Sequence, residues 1–275
     1  MYMRLKDNKT KVVTLSYDDG VVQDIRLIEI MDKYGLKGTF NINTGQYLAE
    51  DAKRERFYGR LMRSEAVKLY SGSHHEVAVH ALTHPFLNML SEPEIIYEVM
   101  ADRKNIEYDY KTVARGMAYP FGAYDDMVVR ILKECGICYS RTTNSTHNFN
   151  FPSCWQMLNP TCHHNDEKLT ELVDRFVNEQ PRFEQCWMFY LWGHSYEFDN
   201  NNNWDVIEKF AKSIGNRADI WYATNIEIYD YVNAYKSLQV SVDKKIIHNP
   251  AAIDIWFSER GETFKIRSGE TLFIG

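Results

Sequence analysis

Two adjacent carboxylates, Asp18 and Asp19, end a largely apolar run that begins at Lys11 and reads KVVTLSY. Like charges repel at this separation, so a segment that served only folding would rarely contain such a pair. A second apolar run leads into His80 and His84, which lie four residues apart. If the chain turns helical there, the two imidazoles face the same way. These residue types predict chemistry where two strands end.

Two histidines and a carboxylate, with positions left for water, form an open catalytic metal site of the kind that suits Zn²⁺, Fe²⁺ or Co²⁺. One aspartate of the pair then ligates the metal, and the other removes a proton from water. Two further segments place polar residues after apolar runs, namely AYPFG at 118–122 and LWGHS at 191–195. We expect all four segments to converge on one rim of the fold.

Short β-rich runs alternate with segments of helical periodicity along most of the chain. The predicted strands are 12–17, 38–43, 76–80, 114–119, 137–142, 186–192 and 220–223. The predicted helices are 22–34, 92–105, 126–135, 167–178, 204–214 and 226–235. This alternation favours parallel βαβ units, and about seven of them indicate an α/β protein with a (β/α) barrel. Barrel enzymes carry their chemistry at the carboxyl ends of the strands, where Asp18 and Asp19 lie.

After residue 238 the pattern changes to the short alternating pieces 239–242, 253–257 and 263–266. We interpret residues 239–275 as a small antiparallel β appendage that packs on a barrel formed by residues 1–238. Trp256 and Phe257 of this appendage are expected to pack against the barrel, with glycan binding or a dimer contact as alternatives. The sequence leaves the oligomeric state open.

The composition excludes several classes of function. Of 275 residues, 44% are hydrophobic and 25% are charged, and the formal net charge is −6 without a basic run. A nucleic-acid or anionic-membrane partner is therefore disfavoured, whereas a neutral or small substrate fits. Neither a membrane span nor a signal peptide is visible, so we expect a cytoplasmic protein. Five cysteines without framework spacing indicate reduced thiols.

In order and spacing, SYDDG, HALTH, YPFG and LWGH resemble the first, second, third and fifth motifs of the NodB-type polysaccharide deacetylases, carbohydrate esterase family 4. The resemblance covers roughly residues 11–235. It implies a distorted (β/α) barrel and a metal-dependent hydrolase that removes an N-acetyl or O-acetyl group from a carbohydrate. The implied cofactor is Zn²⁺, with Co²⁺, Fe²⁺ or Ni²⁺ as alternatives, and the implied partner is an acetylated carbohydrate.

The resemblance also implies a role for individual residues. Asp18 is the general base, and His194 is the acid that protonates the leaving group. The backbone N–H of Phe121 helps to stabilise the oxyanion, and Leu191 lines the pocket for the acetyl methyl group. The implied metal ligands are Asp19, His80 and His84.

Two features of the family have no clear counterpart in this chain. The third motif usually carries an arginine two residues before the proline, where this chain has Ala118, and Arg115 is out of register. The fourth motif, an Asp and Trp pair that tunes the acid histidine, is also missing. Arg141, just after the fifth predicted strand, could pair with a carboxylate such as Asp18, and a surface salt bridge is the alternative.

The segment NPTCHH, residues 159–164, offers further candidates. His163 or His164 could follow a strand at 155–158 and enter the rim as a substrate contact, an acid partner or a metal ligand, or both could be exposed. Other loop histidines, such as His74 and His75, are expected to be solvated.

Aromatic residues gather around the proposed rim: Trp155, Trp192, Tyr196, Phe198 and Trp204. Trp192 and Tyr196 flank His194 and are the best placed to stack on a sugar ring, although aromatics more often belong to a core. We place Tyr119, in the third-motif turn, with these substrate contacts.

Two other functions stay open. A related amidohydrolase would act on a small non-sugar C–N bond, which a cytoplasmic location and the missing arginine would favour. A carbohydrate-binding protein without turnover is the alternative that is not an enzyme, and it would be expected to lack the base or a metal ligand.

Overall fold

The computed structural model of the protein describes residues 1–52 and 59–275. In chain order the strands are β1 (Tyr2–Arg4), β2 (Lys11–Asp18), β3 (Gly38–Ile42), β4 (Glu76–Val79), β5 (Gly116–Ala118), β6 (Tyr139–Arg141), β7 (Cys162–His163), β8 (Trp187–Gly193), β9 (Ile220–Tyr222), β10 (Gln239–Val240), β11 (Ile246–His248), β12 (Ile255–Glu259), β13 (Glu262–Ile266) and β14 (Thr271–Phe273). The helices are α1 (Asp24–Lys33), α2 (Arg63–Ser71), α3 (Glu92–Tyr110), α4 (Asp126–Glu134), α5 (Leu169–Asn178), α6 (Tyr196–Asn200), α7 (Asp205–Ile214) and α8 (Asn225–Lys236).

A curled parallel sheet forms the centre of the molecule. Its strand order is β6-β5-β4-β3-β2-β8-β7, and β9 pairs with the first half of β2. The chain that leads into β7 reaches across to both edges. The Leu158 N–H donates to the carbonyl of Ser140 in β6 at 3.0 Å, and the Thr161 N–H donates to that of Tyr190 in β8 at 2.8 Å. The sheet thus forms the distorted barrel that the sequence predicts.

Strand β2 shows why this barrel has a polar interior. Every residue of β2 is buried, and its side chains alternate between two surroundings. Val13 and Leu15 belong to the apolar core beneath the helices. Thr14 and Ser16 point the other way, where the Thr14 hydroxyl donates to Asn225 Oδ1 at 2.9 Å and Ser16 Oγ accepts from Asn41 Nδ2 at 2.8 Å. Asp18 continues this inner row, so the strand delivers its carboxylate to the mouth of the barrel.

The predicted C-terminal β appendage is confirmed. It consists of two three-stranded antiparallel sheets, β1-β12-β13 and β10-β11-β14. The pairing of β1 with β12 was not predicted, and it brings the N-terminal residues into the appendage. The Tyr231 hydroxyl of α8 joins the two parts, since it donates to the Arg4 carbonyl at 2.8 Å and accepts from the Trp256 N–H at 3.0 Å. Phe257 is fully buried in the same apolar cluster as Tyr231.

Three local predictions are wrong. Residues 155–158 do not form a strand: Trp155–Met157 is a single 3₁₀ turn, and the Gln156 amide donates to the carbonyls of Ile137 and Cys138 in place of a strand ladder. Helix α2 was missed. His75 is not solvated, because its side chain is 0% exposed and Nδ1 accepts from the Gly38 N–H at 3.3 Å.

None of the helices that the structure describes has the length and apolar character required to cross a bilayer.

Asp24 is a fully buried carboxyl that joins three segments. Its oxygens accept from the hydroxyls of Ser195 and Tyr70, both at 2.5 Å, and from the Val21 N–H at 3.2 Å. Burial raises its pKa to about 7, because the cost of desolvation exceeds what the three donors return to the charged form. Asp24 therefore binds a proton more tightly in the folded chain than in the unfolded chain.

We predict that Asp24 makes stability depend on pH in a defined direction. A carboxyl with a raised folded-state pKa contributes most below its unfolded pKa of 3.8, and the contribution is lost as pH rises through about 7. Across this window, the free energy of unfolding of the wild type, measured with denaturant, should fall by up to about 4 kcal/mol. The free energy of unfolding of Asp24→Asn should not show this fall. Equal pH slopes for the two proteins would contradict this prediction.

Candidate active site

The two adjacent aspartates separate because the chain turns sharply at the end of β2. Asp19 has a left-handed φ of 87° and Gly20 a φ of 63°. The Asp19 N–H still donates to the Asn41 carbonyl at 2.9 Å, so the turn begins within the sheet. Left-handed backbone is uncommon for a residue other than glycine and here sends the Asp19 carboxylate to the rim while that of Asp18 stays inside.

Asp18 is surrounded by positive charge and hydrogen-bond donors. Arg141 Nη2 donates to its Oδ2, and Asn41 Nδ2 donates to Oδ1 at 2.9 Å. The Nε2 atoms of His80 and His194 each lie 3.8 Å from Oδ2. Burial favours the neutral acid, but Arg141 together with the two imidazoles outweighs burial and lowers the pKa of Asp18 to about 2. Asp18 is thus a carboxylate at neutral pH, as a general base requires.

Arg141 fills the place of the arginine that the third motif lacks. Ala118 of β5 and Arg141 of β6 are register partners, so the guanidinium arrives from the neighbouring strand at the same level of the sheet. Its side chain is 0% exposed, lies 4.4 Å over the Trp192 ring and donates to the Thr142 carbonyl at 3.3 Å. The predicted pairing with Asp18 is confirmed, and the surface salt bridge is excluded.

Asp19, His80 and His84 come together as the sequence predicts, with ligand atoms within 4.8 Å of one another. The chain does not turn helical between the two histidines, because Ala81 and His84 both have left-handed φ values, 60° and 61°. His80 Nδ1 lies 2.8 Å from the Ala118 carbonyl, which leaves Nε2 directed at the other two residues, buried and without a hydrogen-bond partner. Burial lowers the pKa of His84 to about 4 and also lowers that of His80, so both imidazoles are neutral.

This donor set fits a divalent cation. Neutral imidazoles and a carboxylate are the ligands that Zn²⁺ prefers, and an orphaned buried nitrogen requires a partner. The backbone carbonyl at Nδ1 of His80 is the usual outer partner of a metal-binding histidine.

Arg60 and Asn43 hold the Asp19 side of this triad. Arg60 Nη2 lies 3.0 Å from Asp19 Oδ1, and Nη1 donates to the Asp19 carbonyl and to Asn43 Oδ1, the latter at 3.0 Å. The Asn43 amide in turn donates to the carbonyls of His80 and Ala81. One hydrogen-bonded layer thus links the two strand ends that carry the triad. Neither residue was predicted from the sequence.

His194 faces Asp18 on one side and Glu197 on the other. Its Nδ1 lies 3.2 Å from Glu197 Oε1. Burial disfavours its charged form, yet Glu197 and Asp18 outweigh burial and raise the pKa of His194. The raised pKa favours the charged imidazole next to an ionised Asp18, and such a pair could act as the acid and the base of a hydrolysis. Glu197 also lies 3.1 Å from His163 Nε2 and 3.0 Å from His164 Nε2.

Phe121 sits beside the metal triad in the third-motif turn, with a left-handed φ of 57°. Its ring stacks on Phe86 at 3.9 Å and meets His84 edge-on at 4.4 Å. Tyr196 lies 5.1 Å from the His194 ring and, with Asp19 and Arg60, lines a cavity of about 170 Å³.

Two predicted substrate contacts face away from the site. Leu191 and Tyr119 are 0% and 1% exposed and belong to the core beneath the helices. Tyr119 instead donates to the Gln156 carbonyl at 2.9 Å. Since side chains alternate along a strand, Trp192 is the residue of β8 that shares the inner face with Asp18. It is 8% exposed and supports Arg141.

The family model described as polysaccharide deacetylase matches residues 5–140, which carry Asp18, Asp19, His80, His84 and Phe121. Over this part of the chain, the protein is similar to the polysaccharide deacetylase family. A search of curated proteins finds no match. The deacetylase assignment agrees with the metal-ligand geometry of the matched segment and leaves His163, His164, His194 and Glu197 outside it.

Two solved structures share the fold of this chain at low sequence identity, and a third is similar over part of it. A Mycobacterium smegmatis protein assigned as a polysaccharide deacetylase is 15% identical, with 86% of this chain and 94% of that chain covered and a TM-score of 0.60. The peptidoglycan deacetylase PdaC from Bacillus subtilis, as a mutant, is 16% identical, with 85% and 96% covered and a TM-score of 0.52. The deacetylase PplD from Streptococcus pyogenes, in complex with acetate, is 21% identical with a TM-score of 0.46, and the alignment covers 54% of this chain and 62% of PplD.

We predict that Arg141 stabilises the fold chiefly by neutralising Asp18. Arg141→Met leaves a buried carboxylate without its partner and should lower the free energy of unfolding by about 3–5 kcal/mol at neutral pH. The double variant Asp18→Asn with Arg141→Met should be less destabilised than the single variant, as denaturant titration of both would show. A single variant as stable as the wild type would contradict the pairing.

Proposed function

We propose that the protein is a metal-dependent hydrolase that removes an acetyl group from a carbohydrate. The observation that carries this proposal is a convergence of side chains at one rim. Asp18 and His194 lie there next to the cluster formed by Asp19, His80 and His84. These groups supply the three functions that hydrolysis of an acyl group by water requires.

Asp19, His80 and His84 would hold the cation. When bound, a divalent ion supplies Lewis acidity that polarises an acyl carbonyl and lowers the pKa of water. Zn²⁺ suits two imidazoles and a carboxylate, and Co²⁺, Fe²⁺ and Ni²⁺ are the alternatives.

Asp18 would take the proton from the attacking water. Its carboxylate is 3.8 Å from His80 Nε2, which places it beside the triad, and Arg141 and Asn41 fix both of its oxygens. Because both oxygens are held, the base reaches the water without a search among rotamers. The Phe121 backbone N–H is the proposed donor to the developing oxyanion.

His194 would donate a proton to the departing amine or alcohol. It lies across Asp18 from His80 and carries a raised pKa, so it holds its proton at a pH where Asp18 has lost its own. Tyr196 lines a cavity together with Asp19 and Arg60 and lies 5.1 Å from the His194 ring, and it is the proposed contact for the sugar.

An amidohydrolase acting on a small non-sugar C–N bond needs the same groups and differs only in substrate. The sequence offered two reasons for favouring it, a cytoplasmic location and the missing arginine. The contact of Arg141 with Asp18 weakens the second reason. A binding protein without turnover is disfavoured because the base and all three proposed ligands lie together.

The test of the proposed function is acetate release from acetylated chito-oligosaccharides, peptidoglycan fragments, acetylxylan and simple acetyl esters. We expect release that a chelator abolishes and that added Zn²⁺ or Co²⁺ restores. A protein that binds metal stoichiometrically and releases acetate from none of these substrates would contradict the proposal and favour the amidohydrolase.

A matched variant separates loss of metal from loss of fold. His84→Ala should weaken metal binding at least about tenfold while the melting temperature of the metal-free protein stays near that of the wild type, because the His84 side chain is 19% exposed. His248→Ala, in the appendage, is the control. Metal analysis after dialysis that finds one ion per chain in His84→Ala would remove this histidine from the ligand set.

A further inference from the structure

Glu197 gathers three imidazoles around one carboxylate. Oε1 lies 3.2 Å from His194 Nδ1, and Oε2 lies 3.1 Å from His163 Nε2 and 3.0 Å from His164 Nε2. His194 ends β8 and Glu197 lies three residues later in α6, whereas the two other histidines come from β7 and the residue after it. Burial acts against ionisation of Glu197, but imidazole rings next to both of its oxygens stabilise the carboxylate. The pKa of Glu197 is therefore far below its usual range.

The tautomer of His163 identifies it as a donor to Glu197. The Asn165 N–H donates to His163 Nδ1 at 3.1 Å, so Nδ1 carries the lone pair and the ring hydrogen is on Nε2. That hydrogen faces Glu197. A metal-binding histidine shows the opposite pattern, with its outer nitrogen donating to an acceptor. His163, His164 and Glu197 have spacing that could suit a metal, and Glu197 Oε2 and His164 Nε2 are in close contact without a hydrogen bond of ordinary geometry. The Asn165 N–H on His163 Nδ1 nevertheless gives His163 the tautomer that is opposite to that of a metal-binding histidine.

His164 is built into the wall of the site. Its side chain is 0% exposed, and its ring stacks on Phe198 at 4.2 Å and on Tyr17 at 5.8 Å. A Cβ on Gly193 would lie 2.0 Å from His164 Nδ1. Position 193 must therefore be glycine for the His164 ring to occupy this place. The same ring contacts Glu197, so His164 packs against both the residue before His194 and the carboxylate next to His194.

We propose that Glu197, held by His163 and His164, is the positioning residue that orients His194, with Nδ1–H toward Glu197 and Nε2 toward Asp18 and the leaving group. The acid role of His194 rests on the proposed function. The orientation itself does not, because it follows from the contacts of Glu197.

The groups that face His194 set the direction of the effect. Asp18 and Asp19 at the end of β2 and Glu197 in α6 favour its charged form, whereas burial and the neighbouring His164 favour the neutral form. Tyr196 packs on the ring from the solvent side at 5.1 Å. Glu197 is the carboxylate in hydrogen-bond contact with His194, so its removal should lower the pKa of His194 more than the removal of any other of these neighbours.

The experiment is a histidine-selective NMR titration of the protein loaded with Zn²⁺. In Glu197→Gln the pKa of His194 should fall by about one unit or more relative to the wild type. His163→Gln, which removes one of the two rings that hold Glu197, should shift it in the same direction by less. Glu171→Gln, an exposed glutamate on α5, is the control and should leave the titration unchanged. An unchanged His194 pKa in both test variants would overturn the proposal.

Two further readouts separate this proposal from others. If the wild type releases acetate, the basic limb of its kcat/KM profile should move to lower pH in Glu197→Gln by the same amount as the NMR titration. If the wild type releases no acetate, the NMR titration still tests whether Glu197 orients His194. Two Zn²⁺ ions per chain in the wild type, with one lost in His163→Gln and in Glu197→Gln, would show that this cluster is a metal site and would overturn the proposal as well.

Discussion

The ion pair between Asp18 and Arg141 is the interaction on which the rest of the site depends. A buried carboxylate is costly unless a cation and further donors accompany it, and here a guanidinium, an amide and two imidazoles meet one side chain. The pair fixes where β2 and β6 end relative to each other. It also requires a flat aromatic surface for the guanidinium, which Trp192 of β8 supplies. Three strands are thereby locked at the level where the metal triad lies.

The fold makes this charge arrangement possible by giving the barrel a polar interior. Below Asp18, the Thr14 hydroxyl donates to Asn225, and the Asn41 amide donates to Ser16 and to Asp18 itself. The carboxylate therefore lies above hydrogen-bonded polar side chains rather than on an apolar core. Apolar packing is transferred to the outer face of the sheet, beneath the helices. Because polar side chains occupy the inner face of the sheet and apolar side chains occupy its outer face, the protein buries many polar groups and still forms an apolar core.

Sequence periodicity and the four motifs were enough to predict the barrel, the appendage and the convergence of Asp19, His80 and His84. They could not give the direction of side chains in β8, because residues 188–193 are all buried and show no alternation. Leu191 was assigned to the pocket although its side chain lies in the core, and Trp192 was assigned to sugar stacking although it supports Arg141. The turn at 81–84 was also beyond reach, since its two left-handed residues, Ala81 and His84, are not glycines.

The replacements for the missing motif residues come from elements that the motifs do not cover. Arg141 was suggested by its place at a strand end, but only the register of β5 and β6 shows that it stands beside Ala118. Glu197 gave no signal, because a glutamate three residues after a histidine is common on helices and its partners lie more than thirty residues away in the chain. Contacts of this range depend on tertiary structure rather than on local pattern.

The central proposal is that Asp18 is the base and that Arg141 keeps its carboxylate ionised and oriented. The most direct test is the rate of acetate release by Asp18→Asn at the same metal occupancy as the wild type, on whichever acetylated substrate the wild type prefers. We expect kcat to fall by about 10²–10⁴-fold while metal binding is retained. Wild-type turnover in this variant would contradict it.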